Sequence, residues 1–202
     1  MAFKDFTSIA HVQETYNLKY TEDNYIVFSS LLPSTAFIEE FDFSCNYIDI
    51  FSSEVSRREN IIYPVLKDVY KSYAENFSIW SGKNIKHDEV LNGKPDYMFS
   101  SKSELGKTVI GHPVAIIAYE NQNIFNKTWG KCLAEMLAAQ KINNDFSIPI
   151  HGIVTDGELW QFGKLENALF TKSKTRLILD AVDDIFGALG YIIESSELYF
   201  KQ

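Results

Sequence analysis

Two carboxylates in this chain lie where a strand meets a turn. In Gly93-Lys94-Pro95-Asp96-Tyr97, a glycine and a proline make a tight turn that delivers Asp96 to the start of an apolar strand. Further on, the apolar run Val114-Ala115-Ile116-Ile117-Ala118-Tyr119 ends in Glu120-Asn121-Gln122. Neighbouring strands that each end in an acid place both at one sheet edge, where their oxygens can share a hard divalent cation. Metal-assisted cleavage of a phosphodiester needs that geometry. Against it stands the commonest use of aspartate in such a turn, bonding its own backbone, and, for Glu120, a solvated strand end.

The elements that must position these acids are read from apolar spacing. Ile61, Ile62, Val65, Leu66, Val69, Tyr70 and Tyr73 recur at helical intervals, with Pro64 predicting a kink or restart near Tyr63. Strand character follows at Phe77 to Trp80, Lys86 to Leu91, Pro95 to Ser100 and Pro113 to Tyr119, separated by turn signals such as Asn92-Gly93. Trp129, Leu133, Met136 and Leu137 predict a second amphipathic helix reaching Gln140, an amide that spacing places on the buried side. Pro149 to Thr155 and Leu159 to Leu165 read as strands joined at Asp156-Gly157, and a last helix is expected to be capped by Asp180. Before all of this, residues 1–52 read as a mostly helical extension with a helix near Thr7 to Tyr16, and residues 53–202 as the main domain. Helices before, between and after the strands predict an α/β fold with a mixed central sheet flanked by helices.

Taken together, Ser53-Glu54-Val55-Ser56-Arg57-Arg58-Glu59 heading a helix, Leu91-Asn92-Gly93-Lys94-Pro95-Asp96-Tyr97, Gly130-Lys131-Cys132-Leu133-Ala134-Glu135-Met136-Leu137-Ala138-Ala139-Gln140 and Gly152-Ile153-Val154-Thr155-Asp156-Gly157-Glu158-Leu159-Trp160-Gln161-Phe162 resemble the PD-(D/E)XK nuclease superfamily. The resemblance is closest to an uncharacterised bacterial group related to restriction-type endonucleases. It implies a restriction-endonuclease-like fold and hydrolysis of DNA phosphodiester bonds with Mg2+ or Mn2+. It assigns Asp96 and Glu120 as metal ligands and Glu59 as the carboxylate lent by the first helix. Where the superfamily carries lysine, one spacer after the strand acid, this chain has Gln122, a residue some of its restriction enzymes also use there. In a second register, set by Asn121-Gln122-Asn123, Ala118 takes the acid position and Glu120 the lysine position, and the site is dead. The competing reading is therefore a catalytically inactive relative serving as a binding or structural subunit of a defence or repair assembly, with a protein partner.

Composition bounds these readings. The chain has 202 residues, 46% of them hydrophobic and 23% charged, enough for one ordered domain. Its net charge of −8 counts against strong nonspecific DNA binding, although Lys83, Lys86, His87, Lys94, Lys102 and Lys107 gather near Asp96 in sequence. Cys45 and Cys132 predict two buried thiols in a reducing compartment. No apolar run approaches the roughly 20 residues of a membrane span, and the expected location is the cytoplasm. His11, His87, His112 and His151 show no ligand spacing, and Trp129 and Trp160 read as core anchors.

Overall fold

The run Pro113–Tyr119 is apolar at almost every position, as a strand must be when helices cover both its faces. In the computed structural model, which describes residues 3–120 and 125–200, this run is a central strand of a seven-stranded mixed sheet. Numbered along the chain, the strands are β1 Lys19–Asp23, β2 Phe77–Ser81, β3 Ile85–Lys86, β4 Asn92–Gly93, β5 Tyr97–Ser101, β6 Pro113–Tyr119, β7 Ile150–Thr155, β8 Leu159–Glu166 and β9 Leu169–Ile178. The order across the main sheet is β1-β9-β8-β7-β6-β5-β2, while β3 and β4 form a separate short hairpin. Strands β2, β5 and β6 pair antiparallel, and β6 pairs parallel with β7. Beyond β7 the pairing is antiparallel again until β1 completes the edge parallel to β9.

The helices are α1 Ile9–Tyr16, α2 Thr35–Tyr47, α3 Glu54–Arg57, α4 Tyr63–Tyr73, α5 Phe125–Asn143 and α6 Val182–Glu197. Parallel pairing of β6 with β7 demands a crossover, and α5 supplies it. Alternation along the strands splits the interior into two cores. Tyr97, Phe99, Ile117 and Ile153 face α4 and α6; Met98, Ile116, Ala118, Ile150 and Val154 face α5. The chain thus adopts the expected class, α/β with a mixed central sheet flanked by helices. Among the described residues, no helix is long and apolar enough to cross a membrane.

Helix α5 is seated by two glycines. A Cβ on Gly130 would run into the backbone of Phe6 and Ser8, so the N-terminal segment lies directly on the helix; a Cβ on Gly152 would meet the sulfurs of Met136 and Cys132, so β7 lies directly beneath it. Residues 3–52 do more than precede the sheet. Phe3, Phe6 and Val12 are buried in the α5 core, and β1 forms an edge of the sheet.

Several local expectations are corrected. The strand expected at Lys86 to Leu91 is mostly a turn, because Asp88 Oδ1 accepts the amides of Val90 and Leu91 and leaves only a two-residue ladder on each side. Asp180 lies in a 3-10 turn, and α6 starts after it without a side-chain cap. Cys45 is exposed on α2, and only Cys132 is buried. The kink expected near Tyr63 takes the form of a π-helical turn, Arg58–Ile62, in which the Tyr63 amide donates to the Arg58 carbonyl. Pro64 offers no N–H to the Asn60 carbonyl, so the helix widens just before it.

Candidate functional site

The antiparallel register of β5 with β6 pairs Met98 with Ile116 and Tyr97 with Ile117. One step further sets Asp96 beside Ala118, on the face covered by α5. Asp96 Oδ2 accepts hydrogen bonds from the Tyr119 amide at 3.3 Å and from Lys131 Nζ at 2.8 Å. Lys131 comes from α5. One helical turn later on the same face, Glu135 places Oε1 4.0 Å from that ammonium. Two carboxylates, one from the bend that leads into β5 and one from a helix, therefore share a single lysine.

Burial sets the electrostatics of this triad. Glu135 is wholly inaccessible, and neither of its oxygens has a hydrogen-bond partner. Desolvation pushes its carboxyl up to about 8, with the Lys131 charge opposing and the Asp96 charge assisting. Lys131 itself is partly buried, which alone would favour the neutral amine; the charges of Glu135 and Asp96 and the hydrogen bond to Asp96 outweigh that and hold the ammonium above its ordinary range. Burial drives the neighbouring Cys132 thiol well up, with Glu135 adding to it, so Cys132 is an inert core group.

Of the residues singled out from sequence, Asp96 is the one placed in this triad. Glu120 follows the last residue of β6, and its amide donates to the Thr155 carbonyl at 3.2 Å, extending the ladder to β7. Glu59 lies exposed in the π-helical turn with Arg58 at 3.6 Å as its ion-pair partner. Gln122 lies outside the described residues. Among the described residues, no group of three or more His, Cys, Asp or Glu side chains is arranged to hold a metal ion.

Lys131 and Glu135 were not among the residues the spacing picked out. The signal was there, however: Glu135 is the lone charge in the apolar run from Cys132 to Ala139, and an isolated acid on the buried stripe of a helix must find a partner. The opposite face of the same sheet edge carries Arg58, which donates to the Tyr119 hydroxyl at 2.9 Å with its guanidinium 5.7 Å from that ring. Tyr119 thus connects Arg58 through its side chain to Asp96 through its backbone.

The other polar residues noted in the sequence serve the scaffold. Gln140 is buried near the far end of α5 and donates to the carbonyls of Phe146 and Leu165. Trp129 and Trp160 are fully buried, donating to Gln161 and to the Gly157 carbonyl. His151 is buried on the α6 side and stays neutral, because desolvation lowers its imidazole to about 3.

Asp96 and Glu135 supply oxygen donors of the kind a divalent cation takes, with the Lys131 ammonium standing between them. Mg2+ takes oxygen ligands and is commonly held by one or two carboxylates with water and substrate completing its shell. The unsatisfied oxygens of Glu135 are groups such an ion would satisfy, and Asp96 lies across the same ammonium.

No protein-family model matches the sequence, and no curated protein matches it. Eight chains of solved structures match the fold. One belongs to the cryoEM structure of the DrdV–DNA complex, with a TM-score of 0.46 and 11% sequence identity over 80% of this chain and 14% of that chain. The protein thus spans about a seventh of the length of that neighbour, and a likeness this slight says nothing of shared chemistry.

Proposed function

We propose that this chain is a nuclease-like domain that hydrolyses DNA phosphodiester bonds with Mg2+ or Mn2+, and that its metal ligands are Asp96 and Glu135. The observation that carries this reading is the fully buried Glu135 carboxyl, without a hydrogen-bond partner, set against the ammonium that also binds Asp96. When bound, the cation lowers the pKa of a water and offsets charge on the phosphate. The Tyr119 amide fixes the Asp96 oxygen that faces the site. Lys131 directs its N–H groups at the developing oxyanion, the service that lysine performs in such sites. Glu120 and Gln122, just beyond β6, and Glu59 across the edge would orient the attacking water.

Purified protein incubated with plasmid and single-stranded DNA in Mg2+ or Mn2+ tests this. Cleavage is expected from the natural chain and not from Asp96→Ala or Glu135→Gln; equal cleavage by all three would assign the activity elsewhere.

A specific observation favours a second reading. Ala118 stands beside Asp96 where a strand acid is expected, and the Lys131 ammonium already neutralises Asp96. A chain so built could serve as a non-enzymatic binding subunit. Calorimetric titration with Mn2+ separates the two readings, since a site that binds no metal at millimolar concentration belongs to the second.

A further inference from the structure

Between Tyr20 and Ser56 the chain holds seven carboxylates and no lysine, arginine or histidine. The same segment supplies ten of the eighteen large hydrophobic side chains exposed among the described residues. Helix α2 is its centre. Phe37 is buried, and the Ser34 cap bonds Asp68 of α4 through both its amide, at 2.9 Å, and its hydroxyl, at 2.8 Å, so the helix is fastened to the domain along one side. Its outer side is not polar throughout, as an exposed helix face ordinarily is, but sets aromatic rings beside carboxylates. Phe43 is 58% and Tyr47 78% exposed, their rings tilted against each other with centroids 5.0 Å apart one turn from each other, and Ile48, Phe51 and Val55 continue the exposed apolar series toward α3. Alongside runs a cleft of about 480 Å³ between α2 and α4. The opposite wall of that cleft balances Glu59 and Asp68 with Lys67 and Lys71, the last tied to Asp68 at 2.8 Å, so the uncompensated acids are those of α2.

We infer that this face of α2 and the segment leading to α3 dock a basic amphipathic helix of a partner protein, its apolar side on Phe43, Tyr47 and Phe51 and its lysines or arginines against Glu39, Glu40 and Asp42. Charge selects this occupant. Nucleic acid and anionic membrane would be repelled by a segment of one sign. A symmetric pairing of two copies through this face would set its own carboxylates against each other. An apolar stripe flanked by acids is what a helix with a cationic flank fits. The inference is independent of the Asp96–Lys131–Glu135 site.

The test uses the full chain and a fluorescein-labelled probe peptide with leucine along one helical face and lysine along the other, followed by anisotropy. Saturable binding is expected, weakened at least about tenfold by Phe43→Ser with Tyr47→Ser and, separately, by Glu39→Lys with Asp42→Lys. A peptide with glutamate in place of lysine is expected not to bind. All four residues are exposed, so circular dichroism and melting should be unchanged in both variants; should the aromatic pair disturb the fold, the charge-reversal pair decides. Unchanged binding by that pair, equal binding of the glutamate peptide, or sedimentation showing that the chain self-associates through this face would overturn the inference.

Discussion

A carboxyl group buried without a hydrogen-bond partner is costly when ionised, and Glu135 avoids the cost by holding its proton until about pH 8. In the unfolded chain the same group ionises near 4.5. Its folded value is raised, so its stabilising contribution is complete below about 4.5 and is lost as pH rises to about 8. Within that window the loss is about 1.4 kcal/mol per pH unit. Urea unfolding of the natural chain at pH 5, 7 and 9 should show stability falling with pH, and Glu135→Gln, which keeps the volume and cannot ionise, should flatten that dependence. An unchanged slope would mean that the carboxyl is already ionised in the fold. The same proton governs metal. If Asp96 and Glu135 hold the cation, binding must expel the Glu135 proton below pH 8. Mn2+ affinity should then climb as pH approaches 8 from below, and the titration heat at pH 7 should vary with the ionisation enthalpy of the buffer. Buffer-independent heats would remove Glu135 from the ligand set.

At the scale of elements, much was legible because burial leaves a period in the sequence. The stripe from Ile61 to Tyr73, the run from Pro113 to Tyr119 and the stripe from Trp129 to Gln140 are buried as read, with Tyr70, Tyr73 and Tyr119 half-buried at their ends. What escaped had no such period. Every residue of β1 is exposed, since an edge strand can be held by its backbone alone; β9 alternates lysines with small polar residues whose burial needs the neighbouring strands. Asp96 was legible because turn chemistry marks it locally. Lys131 and Glu135, which the fold sets beside it, were not, because their approach to Asp96 depends on how closely α5 lies on the sheet. That closeness is set by Gly130 and Gly152, and it makes a prediction. Gly130→Ala forces a methyl against the backbone of Phe6 and Ser8, whereas Gly152→Ala meets mainly the flexible Met136 thioether. Overpacking of this kind costs about 1–3 kcal/mol, with Gly130→Ala at the upper end and Gly152→Ala at the lower. Gly130→Ala should also weaken Mn2+ binding, because it displaces the turn that carries Lys131. Equal melting temperatures for the two variants would show that the N-terminal segment yields as easily as a methionine.

Over the whole molecule, charge is the term that sets how DNA could approach a protein with a net charge of −8. A uniformly acidic surface would refuse a phosphate backbone, so any productive approach must be made over a local basic margin. The fold puts one beside the candidate site. Lys94 is exposed two residues before Asp96, and Lys127 is exposed one turn ahead of Lys131 on α5, so both flank the acids. The Gly82 amide donates to the Asp96 carbonyl at 3.0 Å, which anchors the Ser81-Gly82 turn, and with it the neighbouring Lys83, to the same edge. The α2 face carries the opposite sign. Reversing charge at the two places should therefore have unequal effects on DNA. Lys94→Glu with Lys127→Glu should weaken binding of a short duplex by about tenfold or more at low salt, whatever its sequence, and reduce the salt slope by about one per lysine. Glu39→Lys with Asp42→Lys should leave that slope nearly unchanged, since the reversal lies on the α2 face. Filter binding across a salt series reads both. If the α2 pair moved the slope and the lysine pair did not, DNA would lie against the wrong side of the molecule for Asp96, Lys131 and Glu135 to act on it.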